Sequence, residues 1–545
     1  MVHTRSLFTA LLAVTLPLPV VFAAKVQKDG LALPNGASSS RDVVKDIFTR
    51  SYEAYKKHAF GHDDLAPGKP DGSQAGFVDS RNGWGASIVD GMSTMQIMGL
   101  ETYFTEAVDF ASKIDFNNSK TADTVSVFET TIRYIGGLLS AYELSRQKYP
   151  VLVQKARQVA DKLIHAWVGN NDIPFGRINF SNNTPQQANS NIAEAGTLLL
   201  EWATLSKYTG DNKYFQFAEK AMRRIATNPS PLPGLAAQGI DPNTGNPVGG
   251  YVTWGGGSDS YFEYLIKYAR LNNTVDPIYA DTWKLAVDSS LSTLLKTSTF
   301  GSQKYLADFD SQRRIVHRGS HLACFLGGNW IMGMRYTCWI SFALTYGFLR
   351  RTGIGPETFF FASDDGDYTG SAAPTDEELA FYKQHGFYMQ PDTSYYILRP
   401  EVLESNFYAW RATGDTKYLD RANAAIESFK KYLAINDAYA GIMDVNNANS
   451  DKINDMESFW FAETLKYLYL TFDDPNHISL DAYVFNTEAH PFKAPAPLDT
   501  YGSPNGHIPP EDQPAFTPTQ APVPNYSQSP SLPGILHIPE LLHLL

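Results

Sequence analysis

Apolar residues recur at helical spacing through most of residues 41–473, in segments separated by short turns. In residues 127–142, VFETTIRYIGGLLSAY, the side chains of Phe128, Ile132, Ile135, Leu139 and Tyr142 share one face, which predicts a core-facing helix. Beside it, Glu129, Arg133 and Gly136 form a second stripe, with a carboxylate and a guanidinium four residues apart in an otherwise apolar segment. Two readings fit that stripe. Ser126 and Glu129 can make a capping box to which Arg133 adds an ordinary ion pair, or the pair belongs to a site. One turn occurs twice, as YTGDNKY at 208–214 and ATGDTKY at 412–418, with a looser relative at 98–104. In each, a left-handed Gly is expected to close one helix and Asp to cap the next. Recurrent units of this kind predict stacked α-hairpins and an all-α fold, and no regular alternation of strands points to a parallel α/β sheet.

The ends differ from the middle. Residues 481–490, DAYVFNTEAH, alternate as a strand does, while residues 493–545 are rich in Pro, Ser and Asn without periodicity, which predicts a disordered tail. At the start, Arg5, an apolar run over 7–22 and the small pair Ala23 and Ala24 have the layout of a secretory signal peptide, residues 1–24. Pro17 and Pro19 interrupt the run, so cleavage is expected rather than a retained anchor, and no later segment reads as a membrane span. Sequons at Asn117, Asn179, Asn182, Asn272 and Asn525 agree with a secretory lumen and predict that the chain is itself glycosylated. Two cysteines, Cys324 and Cys338, are too few for a disulfide scaffold or a zinc site.

A net charge of −12 excludes nucleic acid and anionic membrane as expected partners. Aromatic residues make up 13% of the chain, which suits a neutral polyhydroxylated ligand whose ring faces stack on aromatic faces.

Several acids that interrupt apolar patterns stand at predicted helix starts. Glu129 follows Ser126, Asp259 follows a run of three glycines, Glu401 follows Pro400, and Glu457 follows Asp455. Singly, each reads as a cap or a first-turn acid facing the helix dipole. If α-hairpins close into a ring, alternate helices point the same way and these acids converge on one cavity, beside Tyr261, Phe262, Phe407, Phe459 and Trp460. Such a cavity suits glycoside hydrolysis, which needs one group to protonate the leaving oxygen and another to activate water or attack. If every acid is only a cap, the chain is an α-hairpin scaffold with no site. No G-x-S-x-G elbow, H-E-x-x-H helix, P-loop or EF-hand loop is present.

Eight segments in order, GWGASIVD, FETTIRYIGGLLSAY, SDSYFEYLIK, HLACF, GIGPE, LRPEVLES, ESFWFAETLKYLYL and VFNTEAHP, resemble the class I α-1,2-mannosidases, glycoside hydrolase family 47, and within them the fungal secreted and Golgi-type members. The resemblance spans about residues 40–492 and implies a catalytic domain there, an (α/α)7 barrel with a C-terminal β-hairpin plugging one end. It implies calcium-dependent, inverting removal of terminal α-1,2-linked mannose from high-mannose N-glycans, by a monomer that is secreted or resides in the secretory-pathway lumen. Glu129 matches the acid that works through water, Glu401 the general base, Asp259 the third catalytic carboxylate, and Glu357 a further acid assigned in places as proton donor. Thr487 matches the calcium ligand, through its hydroxyl and carbonyl oxygens, as suits a hard cation. Arg133, Glu194, Glu263, His321, Glu404, Phe459, Glu463 and Glu488 match residues that line the sugar pocket or hold the waters of the ion.

Two departures matter. Gly257, two positions before Asp259, stands where endoplasmic-reticulum members that remove one mannose carry Arg, so trimming of several mannoses is expected. Residues 329–352 do not follow the family pattern, and Cys338 is not where the partner of Cys324 normally sits, which leaves their pairing open. The same departure keeps a second function in view, a mannosidase-like factor that binds glycans in glycoprotein quality control with little turnover.

Overall fold

The fold is mainly helical, in keeping with the 3.6-residue pattern. Its helices are α1 (Ala37–Ala59), α2 (Ala86–Ile97), α3 (Glu101–Lys113), α4 (Val127–Glu129), α5 (Gly136–Leu144), α6 (Pro150–Leu163), α7 (Ile192–Gly196) and α8 (Leu199–Thr209). After these come α9 (Lys213–Thr227), α10 (Asp259–Asn272), α11 (Ile278–Ser289), α12 (Leu326–Gly333), α13 (Asp376–His385), α14 (Glu401–Thr413), α15 (Lys417–Tyr432) and α16 (Leu465–Phe472). This computed structural model describes residues 25–68, 73–122, 124–333, 352–503 and 516. The predicted signal peptide, Cys338, most of residues 329–352 and the tail beyond 503 apart from Phe516 lie outside the described residues.

Burial separates two layers. In α9 only the stripe Tyr214, Ala218, Ala221, Met222 and Ile225 is buried, whereas α10 is buried on all sides from Ser260 to Leu271. A helix with one apolar stripe covers a neighbour; a helix enclosed on all sides lies inside. The contacts agree. α3 packs on α2, α6 on α5, α9 on α8, α11 on α10 and α15 on α14, while α2, α5, α8, α10, α12, α14 and α16 each touch the next. The segment Trp460–Thr464 that leads into α16 returns to α2, and α1 packs on α16.

The repeated turn works as its sequence predicts. Gly210 and Gly414 end α8 and α14 in the left-handed region, with φ of 71° and 68°. Asp211 and Asp415 then accept the amides of Lys213 and Lys417 at 3.1 and 3.0 Å.

Strands are confined to two- and three-stranded antiparallel sheets in the connections. The strand expected over 481–490 is shorter, Tyr483–Phe485, and turns back through Ala489 at φ 55° to pair with Pro491–Lys493. This hairpin packs against α5 and α10. Asn486 fastens it, its Nδ2 donating to Ile132 O at 2.9 Å and to Glu201 Oε1 at 2.7 Å. Gly136 makes the approach possible, since a Cβ there would stand 2.7 Å from Asn486 Nδ2 and 3.0 Å from the His490 ring. Residues 493–503, assigned to a disordered tail from composition, are bound to the body: Arg270 and Asn273 donate to the carbonyls of Pro495 and Ala496, and Ser503 N donates to Asp281 at 2.8 Å. Composition misses these bonds because the partners are carbonyls and amides, which any residue supplies. At the other end Val26 N donates to Asp481, and Gln27 Oε1 accepts from the buried guanidinium of Arg411. Among the described residues no helix is long and apolar enough to cross a membrane.

Candidate active site

The helix that carries Glu129 is not uniform. α4 passes into a π-helical stretch, Thr130–Ile135, before α5 begins, so Arg133 sits on a locally widened turn. Ser126 Oγ accepts the Glu129 amide at 3.2 Å, which is half of the capping box. The Glu129 side chain turns away from that box; its Oε2 accepts from Arg133 Nε at 2.7 Å, and Arg81 Nε lies 3.3 Å from it as an ion pair without a hydrogen bond. Burial would raise the carboxyl, but the two guanidinium groups outweigh it and hold Glu129 down at about 2. Arg133 also binds Glu488 through Nη1, lies 3.6 Å from Asp90 Oδ2, and places its guanidinium 5.8 Å from the centre of the Phe459 ring.

Glu194 opens α7, with its amide capped by Asn191 Oδ1 at 2.8 Å. Burial raises its carboxyl, Arg177 opposes this, and the nearby charge of Glu129 adds to it, so the two acids are neighbours.

Asp259 and Glu401 are the first residues of α10 and α14. Burial raises Asp259 to about 7; the Ser260 amide, at 2.8 Å, and Arg399 oppose the shift, while Glu263 and Glu401 add repulsion. Burial likewise raises Glu401 to about 7 against the pull of Arg399, with Glu357 and Glu263 adding to the rise. Its Oε2 is buried, makes no hydrogen bond among the described residues, and faces His321 Nε2 at 3.8 Å. His321 is itself lowered to about 3 by burial and by Arg399, so it stands neutral beside the acid.

Glu357 is placed differently. Both its oxygens accept from Arg399, at 2.6 and 2.8 Å, and its carbonyl accepts the amide of His321 at 2.8 Å. This geometry makes Glu357 an anchor for Arg399, which in turn acts on Asp259 and Glu401.

At the hairpin turn Thr487 N donates to Tyr264 Oη at 3.3 Å, and Tyr264 Oη donates to Glu201 at 2.5 Å. Buried acid gathers around this point. Burial raises Glu201 and Glu404 each to about 8, and raises Glu463 and Glu488 well above the usual carboxylate range, with mutual repulsion adding to Glu404 and Glu463. Lys267 answers part of it, binding Glu263 and lying 3.8 Å from Glu404, and Arg133 binds Glu488. Lys466 lies in the same region, but burial lowers it to about 7. Acidic side chains therefore outnumber basic ones at the floor, and in the absence of a cation the raised carboxyls hold their protons near neutrality. Among the described residues no three His, Cys, Asp or Glu side chains converge as a direct metal-ligand set. Thr487, next to Glu488 and tied through its amide to Tyr264, offers a hydroxyl and a carbonyl oxygen, the ligand type a hard cation takes.

The predicted residues thus fall into one connected cluster, with Glu129, Arg133, Glu194, Phe459 and Glu488 at one side and Asp259, Glu263, His321, Glu357, Glu401 and Glu404 at the other. Glu463 spans them, since it feels Glu488, Glu401 and Glu404 together. Sequence reasoning passed over Arg81, Asp90, Glu201, Lys267, Arg399 and Lys466. Glu201 did carry a signal, a single charge inside the apolar run TLLLEWATL. A bridge between Cys324 and Cys338 falls outside the described residues; Cys324 itself is buried, and burial pushes its thiol up.

A family model described as Glycosyl hydrolase family 47 matches residues 47–494. The probable mannosyl-oligosaccharide alpha-1,2-mannosidase 1B of Aspergillus clavatus is 38% identical over 526 residues, covering 90% of this chain and 98% of its own. Mannosyl-oligosaccharide alpha-1,2-mannosidase 1B of Aspergillus oryzae is 36% identical over 530 residues, covering 91% of this chain and 100% of its own. The solved structure of alpha-1,2-mannosidase from Trichoderma reesei superposes with a TM-score of 0.80 at 34% identity, covering 85% of this chain and 100% of that one.

Proposed function

The chain belongs to glycosyl hydrolase family 47 and is a glycosidase, and from that premise we propose that it removes terminal α-1,2-linked mannose from high-mannose N-glycans with inversion of configuration. The observation that carries this reading is one buried cluster of three acids in first helical turns, Glu129 bonded to Arg133, and Asp259 and Glu401 opening α10 and α14 beside Arg399, where burial raises both to about 7. Near neutrality, Glu401 in its ionised form takes a proton from the attacking water, and Asp259 in its protonated form has one to give to the leaving oxygen. Glu129, ionised, orders the water that relays this proton. Inversion requires the attacking water and the proton to approach from opposite faces of the sugar ring.

Glu263, Glu404, Glu463 and Glu488 orient waters at the floor, and Arg133 and Phe459 border the sugar. The Thr487 oxygens, with waters held by these acids, would hold calcium, which would supply ligation for sugar hydroxyls. The helix contacts support the finer fold reading, an (α/α)7 barrel with the hairpin at its floor. At the rim, Gly257 has φ +84° and a Cβ there would stand 2.8 Å from Gln238 Nε2, so the backbone is shaped for glycine. The absence of a side chain at Gly257 supports trimming of several mannoses, since no long cation stands there. A secreted or luminal monomer remains the reading of the leader and the sequons.

Incubation with an α-1,2-linked dimannoside is expected to release free mannose, and a chelator to stop it. Proton NMR is expected to show β-mannose first. Release as the α-anomer overturns inversion. Absence of release with intact glycan binding favours the binding factor instead.

A further inference from the structure

Arg81 lies just before the GWGASIVD segment, outside every motif that resembles the family, and is only 8% exposed. Its backbone is fixed by Asp63, a fully buried carboxylate that accepts the amides of Arg81 and Gly83 at 2.7 Å, Gly85 at 3.0 Å and Ala86 at 3.1 Å. Gly83 and Gly85 have φ of 71° and 81°, which lets the loop wrap the carboxylate. Tyr134, on the same π-helical stretch as Arg133, donates to Asp63 at 3.0 Å and to Arg81 O at 2.9 Å. The loop is thereby tied to the helix that carries Glu129. From this cradle the guanidinium reaches Glu129 Oε2 at 3.3 Å and Glu457 Oε2 at 3.4 Å.

Both cations at Glu129 meet the same oxygen. Arg133 Nε donates to Oε2 at 2.7 Å, Arg81 Nε stands 3.3 Å from the same oxygen as an ion pair without donating to it, and Oε1 makes no hydrogen bond with protein among the described residues. The two grips are not equivalent. Arg133 stands four residues along the same helix and moves with Glu129, whereas Arg81 comes from a separate element and fixes the carboxylate against the body of the protein. A clamp by two elements sets the rotation of a carboxylate about its last bond; one by a single helical neighbour leaves it free to turn.

We propose that Arg81 is a positioning residue for the reaction, clamping Oε2 of Glu129 together with Arg133 so that Oε1 is aimed at the water in the cavity. This rests on the hydrolase reading above and adds a part that the family resemblance does not assign.

The test is a cycle of Arg81→Met, Glu129→Gln and the double variant of the full chain, with kcat and KM on an α-1,2-linked dimannoside and thermal unfolding of each. Arg81→Met is expected to lower kcat about 10- to 100-fold, as misplacement of a catalytic group does, and to change KM less than about threefold. In the Glu129→Gln background the same change is expected to cost less than about twofold, because residues that act as a unit are not additive. Arg81→Lys, which keeps the charge, is expected to recover most of the lost kcat. Undiminished kcat in Arg81→Met, or losses that multiply in the double variant, would overturn the proposal while leaving the hydrolase reading intact. If Arg81→Met does not fold, the cycle is run with Arg81→Gln under the same two criteria. No mannose release by the unsubstituted protein would remove the reaction and the proposal with it.

Discussion

Arg399 grips Glu357 through both carboxylate oxygens, Nε to Oε2 at 2.6 Å and Nη2 to Oε1 at 2.8 Å, with both side chains buried. A carboxylate with both oxygens so engaged braces its partner. Glu357→Gln is therefore expected to lower stability by about 3–5 kcal/mol, because it leaves a buried guanidinium without its counter-charge. It should lower kcat as well, through displacement of Arg399 beside Asp259 and Glu401. Thermal unfolding and kcat measured together check this; lost kcat at unchanged stability would make Glu357 a direct proton donor.

The raised carboxyls fix the sign of the pH dependence. Asp259 and Glu401 are at about 7 in the fold, whereas unfolded carboxyls lie near 4, so over that interval the native state binds more protons. Their contribution to stability is complete below about pH 4 and is lost as pH rises through 7. Calcium-free protein should accordingly unfold at a higher temperature at pH 5.5 than at pH 8. Activity should follow a bell, since one member of the pair must be ionised and the other protonated, and its two limbs belong to the coupled pair. Asp259→Asn should abolish turnover at every pH.

Thr487 tests the floor. Thr487→Val removes a hydroxyl but keeps the shape, so the fold should survive while the rise in unfolding temperature on adding calcium shrinks. The linkage relation makes that rise a measure of affinity, with about 2.7 kcal/mol expected at a hundredfold excess over Kd. An equal rise in the variant would exclude the Thr487 hydroxyl as a ligand.

Gly136→Ala opposes two effects. Alanine favours the helix by about 0.5–1 kcal/mol, but its Cβ would meet Asn486 Nδ2 at 2.7 Å and the His490 ring at 3.0 Å. Overpacking of about 1–3 kcal/mol should win, so net destabilisation is expected in denaturant unfolding. A more stable variant would mean that the hairpin yields.

Much of this was legible in the chain. The spacing of Glu129 and Arg133, and the glycines that end α8 and α14, follow from local rules that the structure obeys. Glu129, Asp259 and Glu401 stand in the first turns of their helices, as their local sequence predicts. What local rules miss are the bonds that make those acids unlike one another. Arg133 meets Glu488 across 355 residues and Asn486 meets Glu201 across 285, separations at which no periodicity carries information. Arg81 was invisible for the same reason. The π-helical stretch was hidden too, since widening one turn leaves the apolar residues of the segment apolar.

The packing of α1 on α16 has a consequence for how the molecule can come apart. A row of helices has two outermost members, held on one side only, from which melting starts; a hoop has none. Val26 is bonded to Asp481, so the start of the described chain lies beside the C-terminal hairpin. Joining Val26 by a linker to the segment that follows the hairpin, and opening the chain at an exposed connection such as Gly210, should give a circular permutant that still folds. Removing the first helix should instead unzip its neighbours.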